Sequence, residues 1–146
     1  LRNAAKILGP DSTLIVGADL IKAPEILNAA YNDKQRVTAK FNKNLLVRIN
    51  RELDGCFDLS AFEHRAIWND AELRVEMHLV SRQRQDVEIR ALDRRVHFEP
   101  GESIWTESSY KYTQGAIALL ASSAAFTTAG QWVDADARFA LSLLRL

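Results

Sequence analysis

The run from Glu72 to Leu79 alternates without a break between polar and apolar side chains: Leu73, Val75, Met77 and Leu79 against Glu72, Arg74, Glu76 and His78. A period of two turns one set toward a core and the other toward water, the pattern of a half-buried strand. Val87 and Ile89 repeat it, as do Val96 and Phe98, with polar turns at 81–85 and 92–94. Glu99-Pro100-Gly101-Glu102 is a turn signal that leads into Ser103-Ile104-Trp105-Thr106. Residues 62–106 are therefore expected to form consecutive antiparallel strands.

The flanks follow a different grammar. Gly9-Pro10 stops a short helix, and Thr13–Asp19 is an apolar run without alternation, which reads as a buried parallel strand ending in an acid. Residues 23–53 turn helical. Pro24 suits a first turn, and Ile26, Leu27 and Ala30 form one stripe. Val37, Phe41, Leu45 and Ile49 recur every four residues on a second helix, with Asn32-Asp33 as the break and cap between them. Thr113 is expected to cap a helix through Ile117, Leu120, Ala121 and Ala124, and Asp134-Ala135-Asp136 to turn a hairpin. The chain thus reads as an α/β piece, an inserted α+β module and a second α/β piece. Because Leu1 enters helix-like sequence directly, the expectation is a fragment whose amino-terminal part is missing.

Charge gives little direction. Lys+Arg and Asp+Glu are both 19, so no net field draws the chain to nucleic acid or to an anionic membrane. The longest apolar runs are too short to span a bilayer. The single cysteine, Cys56, excludes an internal disulfide and a cysteine-rich zinc site, and is expected to be a small, at least half-buried hydrophobe beside Phe57. A lone thiol without a signal-peptide pattern suits a cytoplasmic location.

The six glycines are scattered and none falls in a nucleotide-binding spacing, so no cofactor cradle is visible in these residues. His64, His78 and His97 fall on separate strands without ligand spacing, and are read as surface strand residues and not as metal ligands. No G-x-S-x-G elbow marks a serine nucleophile. The stretch from Ile104 to Tyr112 is dense in hydrogen-bonding groups. It fits equally well a polar loop in which Ser109 or Thr113 caps the next helix, and a binding site. Tyr31 reads as half-buried packing and Met77 as core filling.

Five segments carry a resemblance: Ala29-Ala30-Tyr31-Asn32-Asp33, the run from Phe41 to Leu53, Phe62–Asn69, Glu76–Ser81 and Thr106–Tyr112. In order and spacing, over essentially the whole chain, they resemble the histidine-specific methyltransferase family of ergothioneine biosynthesis. The resemblance implies the carboxy-terminal part of a Rossmann-like methyltransferase, with an α+β substrate-binding domain inserted after its fifth strand. Residues 1–21 would close the first part of the core, 22–111 would form the substrate domain, and 112–146 the last helix and closing β-hairpin. The implied activity transfers methyl groups from S-adenosylmethionine to the α-amino nitrogen of L-histidine, giving trimethylated hercynine. The donor's site would lie mostly in the missing amino-terminal half, leaving no catalytic or cofactor-binding residue here.

Carried over by residue, Tyr31 resembles the family tyrosine whose hydroxyl meets the substrate carboxylate, and Met77 the apolar wall beside the imidazole. Glu107 and Ser109 resemble the pair that holds the two imidazole nitrogens. Ser108 departs from the asparagine expected there and would line the site with its backbone; Tyr110 and Tyr112 would support. Such a pair makes physical sense, because a site that engages both ring nitrogens rejects analogues that would strand its own buried polar groups. The implied partner is L-histidine, with neither nucleic acid nor membrane, and the fragment alone is expected to self-associate. Two alternatives stand beside this: a relative that methylates another amino acid, such as a tryptophan derivative, and a non-catalytic binding fragment.

Overall fold

The computed structural model describes residues 1–146. Its elements run α1 (Arg2–Leu8), β1 (Thr13–Asp19), α2 (Pro24–Tyr31), α3 (Val37–Glu52), β2 (Phe62–Asn69), β3 (Arg74–Ser81), β4 (Gln85–Ile89), β5 (Arg94–Phe98), β6 (Ser103–Tyr110), α4 (Gln114–Ser122), β7 (Thr127–Val133) and β8 (Phe139–Arg145). It is an α/β chain with antiparallel sheets, divided into two compact units: residues 1–23 with 110–146, and residues 24–109. No helix is long and apolar enough to cross a membrane.

In the first unit, Gly9 ends α1 at φ 75°, a conformation that an L side chain resists. The sheet order is β1-β8-β7, and both pairings are antiparallel. This corrects the parallel strand expected at 13–19. Leu14↔Leu144, Val16↔Ser142 and Ala18↔Ala140 oppose one another on one face. There Leu14, Val16 and Leu144 pack with Ala5 of α1, Ala121 of α4 and Phe126. An apolar run without alternation has a second face, and here it is open: Ile15 is 62% exposed, and Phe139, Leu141 and Trp132 are exposed as well. Thr113 caps α4 by accepting the Ala116 N–H at 3.1 Å, and Asp134 closes the β7–β8 turn by accepting the N–H groups of Arg138 and Phe139.

In the second unit, β2, β3 and β6 form a sheet in that order, and β4 pairs with β5. The register His64↔Leu79, Ala66↔Met77 and Trp68↔Val75 places these residues on one face. Two helices cover it. Leu27 and Tyr31 of α2 pack on Ala66, Val75 and Met77, and Leu46 of α3 joins Phe57, Phe62, Leu79, Val87 and Phe98. The rings of Phe62 and Phe98 meet edge to face at 5.3 Å between centroids, a favourable arrangement of their quadrupoles.

Three sequence expectations fail here. Val37, Phe41 and Leu45 are exposed, at 59%, 66% and 42%, and α3 instead buries Asn42 and Leu46. Leu73 belongs to the turn before β3, at φ 50°, and Val96 is exposed, so neither extends the core set of its strand. Cys56 is exposed; its sulfur accepts the Glu88 N–H at 3.0 Å.

Candidate functional site

Residues 104–110 are strand and not loop, and Thr113, not Ser109, caps the following helix. That leaves Ser109 for another role. The Tyr31 hydroxyl donates to Ser109 Oγ at 2.7 Å. Tyr31 is the last residue of α2 and packs against the cluster that contains Met77, itself 3% exposed. The Thr106 hydroxyl donates to the Met77 carbonyl at 2.8 Å, tying β6 to β3 at this point. Tyr31, Met77 and Ser109 are thereby brought into one neighbourhood by α2, β3 and β6.

Glu107 lies differently. Its side chain is exposed, and the alternation of β6 puts it on the side that carries Trp105. The Trp105 indole N–H donates to the Glu107 carbonyl at 3.0 Å. Trp105 stacks on His78, and the Arg74 guanidinium sits 4.6 Å above its ring. Arg74 also pairs with Glu76 at 2.8 Å. Glu76 is held below the usual carboxylate range by hydrogen bonds first from Asn69 and then from Arg74. Ser108 and Ser109 are both half-buried, so the alternation of exposure along β6 ends at that pair.

His97 is surface strand as expected, but His64 is not. His64 is half-buried beneath the helices, with Nε2 2.9 Å from the Tyr31 carbonyl and Nδ1 3.0 Å from the Asn42 amide nitrogen. A cavity of about 650 Å³ opens beside them, lined by Tyr31, His64 and the cations Arg36, Lys40 and Lys43. Met77, Glu107 and Ser109 do not line it. His97 is exposed between Asp86 and Glu99, at 2.9 and 2.8 Å. The sequence reading missed Asn42 and His64; the available signal was a polar residue at the spacing of buried neighbours, Asn42 with Leu46 on α3 and His64 with Ala66 on β2.

In the first unit, Asp19 at the end of β1 pairs with Lys22 and, at 2.9 Å, with Lys111, whose side chain is 1% exposed. Burial raises the Asp19 carboxyl, but the two ammonium groups together outweigh it and hold it below the usual range. A cavity of about 500 Å³ in this unit is lined by Leu1, Arg2, Asn3, Tyr112, Leu120 and Ser123. That lining has no carboxylate to receive the ribose hydroxyls of a nucleoside-like donor, so these residues do not fit S-adenosylmethionine.

A model of histidine-specific, S-adenosylmethionine-dependent methyltransferases matches residues 1–146. The chain is 42% identical over 139 residues to a histidine N-alpha-methyltransferase of Mycobacterium tuberculosis (strain CDC 1551 / Oshkosh), covering 95% of this chain and 43% of that protein. It is 42% identical over 143 residues to the histidine N-alpha-methyltransferase of Mycolicibacterium smegmatis, covering 98% and 44%. It is 28% identical over 112 residues to ergothioneine biosynthesis protein 1 of Schizosaccharomyces pombe, covering 76% and 14%. The chain therefore spans less than half the length of these curated relatives. With a match along its full length, it belongs to the family of histidine-specific, S-adenosylmethionine-dependent methyltransferases.

Proposed function

We propose that this chain supplies the histidine-recognising part of an enzyme that methylates the α-amino nitrogen of L-histidine, with hercynine for ergothioneine biosynthesis as the product. The observation that carries the reading is the hydrogen bond between Tyr31 and Ser109. It joins two residues that the family resemblance assigns, from separate segments, to the grip on one substrate. Ser109 serves one ring nitrogen, and Glu107, exposed two positions earlier on β6, accepts from the other. Met77 supplies apolar wall to the ring, the Tyr31 hydroxyl meets the substrate carboxylate, and the Ser108 backbone completes the lining.

S-adenosylmethionine supplies the methyl group. Its site is proposed to lie outside residues 1–146, in a Rossmann-like core into which residues 22–111 are inserted as the substrate domain. Residues 1–21 and 112–146 belong to that core. The chain's own contribution is positioning: a histidine held at carboxylate and ring presents its amine in one direction, and orientation of this kind accounts for much of a transfer rate.

Competition between L-histidine and L-tryptophan, measured as kcat/KM on the full-length protein, tests the reading. Preference for histidine is expected, because an indole has one N–H and no ring acceptor to engage Glu107 and Ser109 together. Equal or better use of tryptophan overturns it.

A further inference from the structure

We propose that His64 is the positioning residue for Tyr31, acting through the end of α2 and not through contact with substrate. The proposal rests on the reading above, in which the Tyr31 hydroxyl meets the substrate. Tyr31 closes α2, so its carbonyl has no acceptor role within the helix and needs an outside donor. His64 Nε2 lies 2.9 Å from that carbonyl oxygen. On the other side of the ring, Nδ1 lies 3.0 Å from the amide nitrogen of Asn42.

These two neighbours fix the proton. A backbone carbonyl only accepts and an amide nitrogen only donates, so Nε2 carries the hydrogen and Nδ1 accepts. The orientation of Asn42 is fixed in turn, because the same amide nitrogen donates to the His78 carbonyl of β3 at 3.2 Å. Asn42 is 4% exposed, so this chain of bonds runs through the interior of the unit. The next residue is clamped as well. Asn32 donates to the Ala66 carbonyl at 3.2 Å and accepts the Ala66 N–H at 3.3 Å, bonding side chain to strand backbone in both directions.

The end of α2 is thus fastened to β2 at the Tyr31 carbonyl and at the residue that follows it. Helix ends fray when their last carbonyls lack partners, and Tyr31 must hold its hydroxyl 2.7 Å from Ser109. With the backbone pinned, two side-chain torsions remain to place the phenol. The recognition geometry is then set before substrate arrives, and less ordering accompanies binding.

Steady-state kinetics of the full-length protein, with L-histidine and S-adenosylmethionine varied separately, test this. Glutamine brings an amide N–H to the position of Nε2, whereas asparagine ends near Nδ1. His64→Asn is expected to raise KM for histidine about five- to tenfold, with kcat and the donor's KM within about twofold of wild type. His64→Gln is expected to remain within about twofold on all three. Added to Tyr31→Phe, His64→Asn is expected to change the histidine KM less than about twofold further, since both act on one contact. Equal KM values for the asparagine and glutamine variants, or an effect of His64→Asn that multiplies fully onto Tyr31→Phe, overturn the role of His64. A Tyr31→Phe enzyme with unaltered histidine KM overturns instead the reading of Tyr31 on which the proposal rests.

Discussion

Tyr31 at the end of α2 and Ser109 on β6 share a hydrogen bond of 2.7 Å, although 78 positions separate them in the chain. A helix terminus and a strand residue are held as one polar pair beside the cluster around Met77. Polar pairs that close such distances constrain both elements, and removing one member leaves the other to find a substitute.

Glu107→Ala in the full-length protein is expected to weaken histidine use by roughly 2–4 kcal/mol, the scale for losing a charge-assisted bond to ligand. Ser109→Ala is expected to cost less, about 1–2 kcal/mol, since a neutral hydroxyl is removed. Both are read from kcat/KM for L-histidine, and values equal to wild type in both variants would sink the proposed grip on the ring.

Asp19→Asn takes the carboxylate from the buried Lys111 ammonium. Removing one partner of a buried ion pair costs several kcal/mol, but the Asp19 side chain is 32% exposed, so about 1–3 kcal/mol is expected. The carboxyl is held below its ordinary value of 3.8 in the folded chain, so the unfolded chain binds more protons as pH falls. Its stabilising contribution is present above that value and lost as pH drops through the lower, folded one. Denaturant titrations of wild type and Asp19→Asn should therefore converge in acid; a constant gap between them would contradict the assignment.

His97, between Glu99 and Asp86, is raised above its ordinary value of 6.5, first by the bond to Glu99 and then by that to Asp86. A raised group binds its proton more tightly when folded, so its contribution is full below 6.5 and fades as pH rises through the folded value. The ring resonances of His97 should titrate with a midpoint above 6.5, and Glu99→Gln should lower that midpoint. A midpoint at or below the ordinary value would refute the two-carboxylate environment.

Ile7 at 82% exposure, Leu119 at 74% and Ile15 at 62% give the first unit a large apolar surface. Surfaces of this kind associate in water, so the 146-residue chain is expected to form concentration-dependent oligomers in sedimentation velocity. A single monomeric species across the accessible concentrations would contradict this.

Much of the second unit is legible in the sequence because its signals are local. The alternation of Val75, Met77 and Leu79 places β3, and Asp33, a capping residue by type and place, accepts the N–H groups of Val37 and Thr38 at 2.8 and 2.9 Å. What misleads is the assumption that the most apolar stripe is the buried one. On α3 the buried position goes to Asn42, because His64 and the His78 carbonyl satisfy its amide. That exchange depends on β2 and β3, and no helical period announces it. The direction of β1 is hidden for a related reason: its partner, β8, lies more than a hundred residues away, and an apolar run is the same in either direction. The pairing of Tyr31 with Ser109 is likewise invisible to spacing, and only the family resemblance points to both residues.

The split of the first unit between residues 1–23 and 110–146 has a consequence for synthesis on the ribosome. β1 precedes residues 24–109, yet its partner β8 runs to Arg145, so that pairing waits until those residues and β8 have been made. Residues 24–109 are complete before that, and their internal pairings need nothing downstream. Residues 24–109 can thus pair among themselves before β8 exists, and a stop codon shortly before residue 139 would spare those pairings while removing the β8 partner of β1.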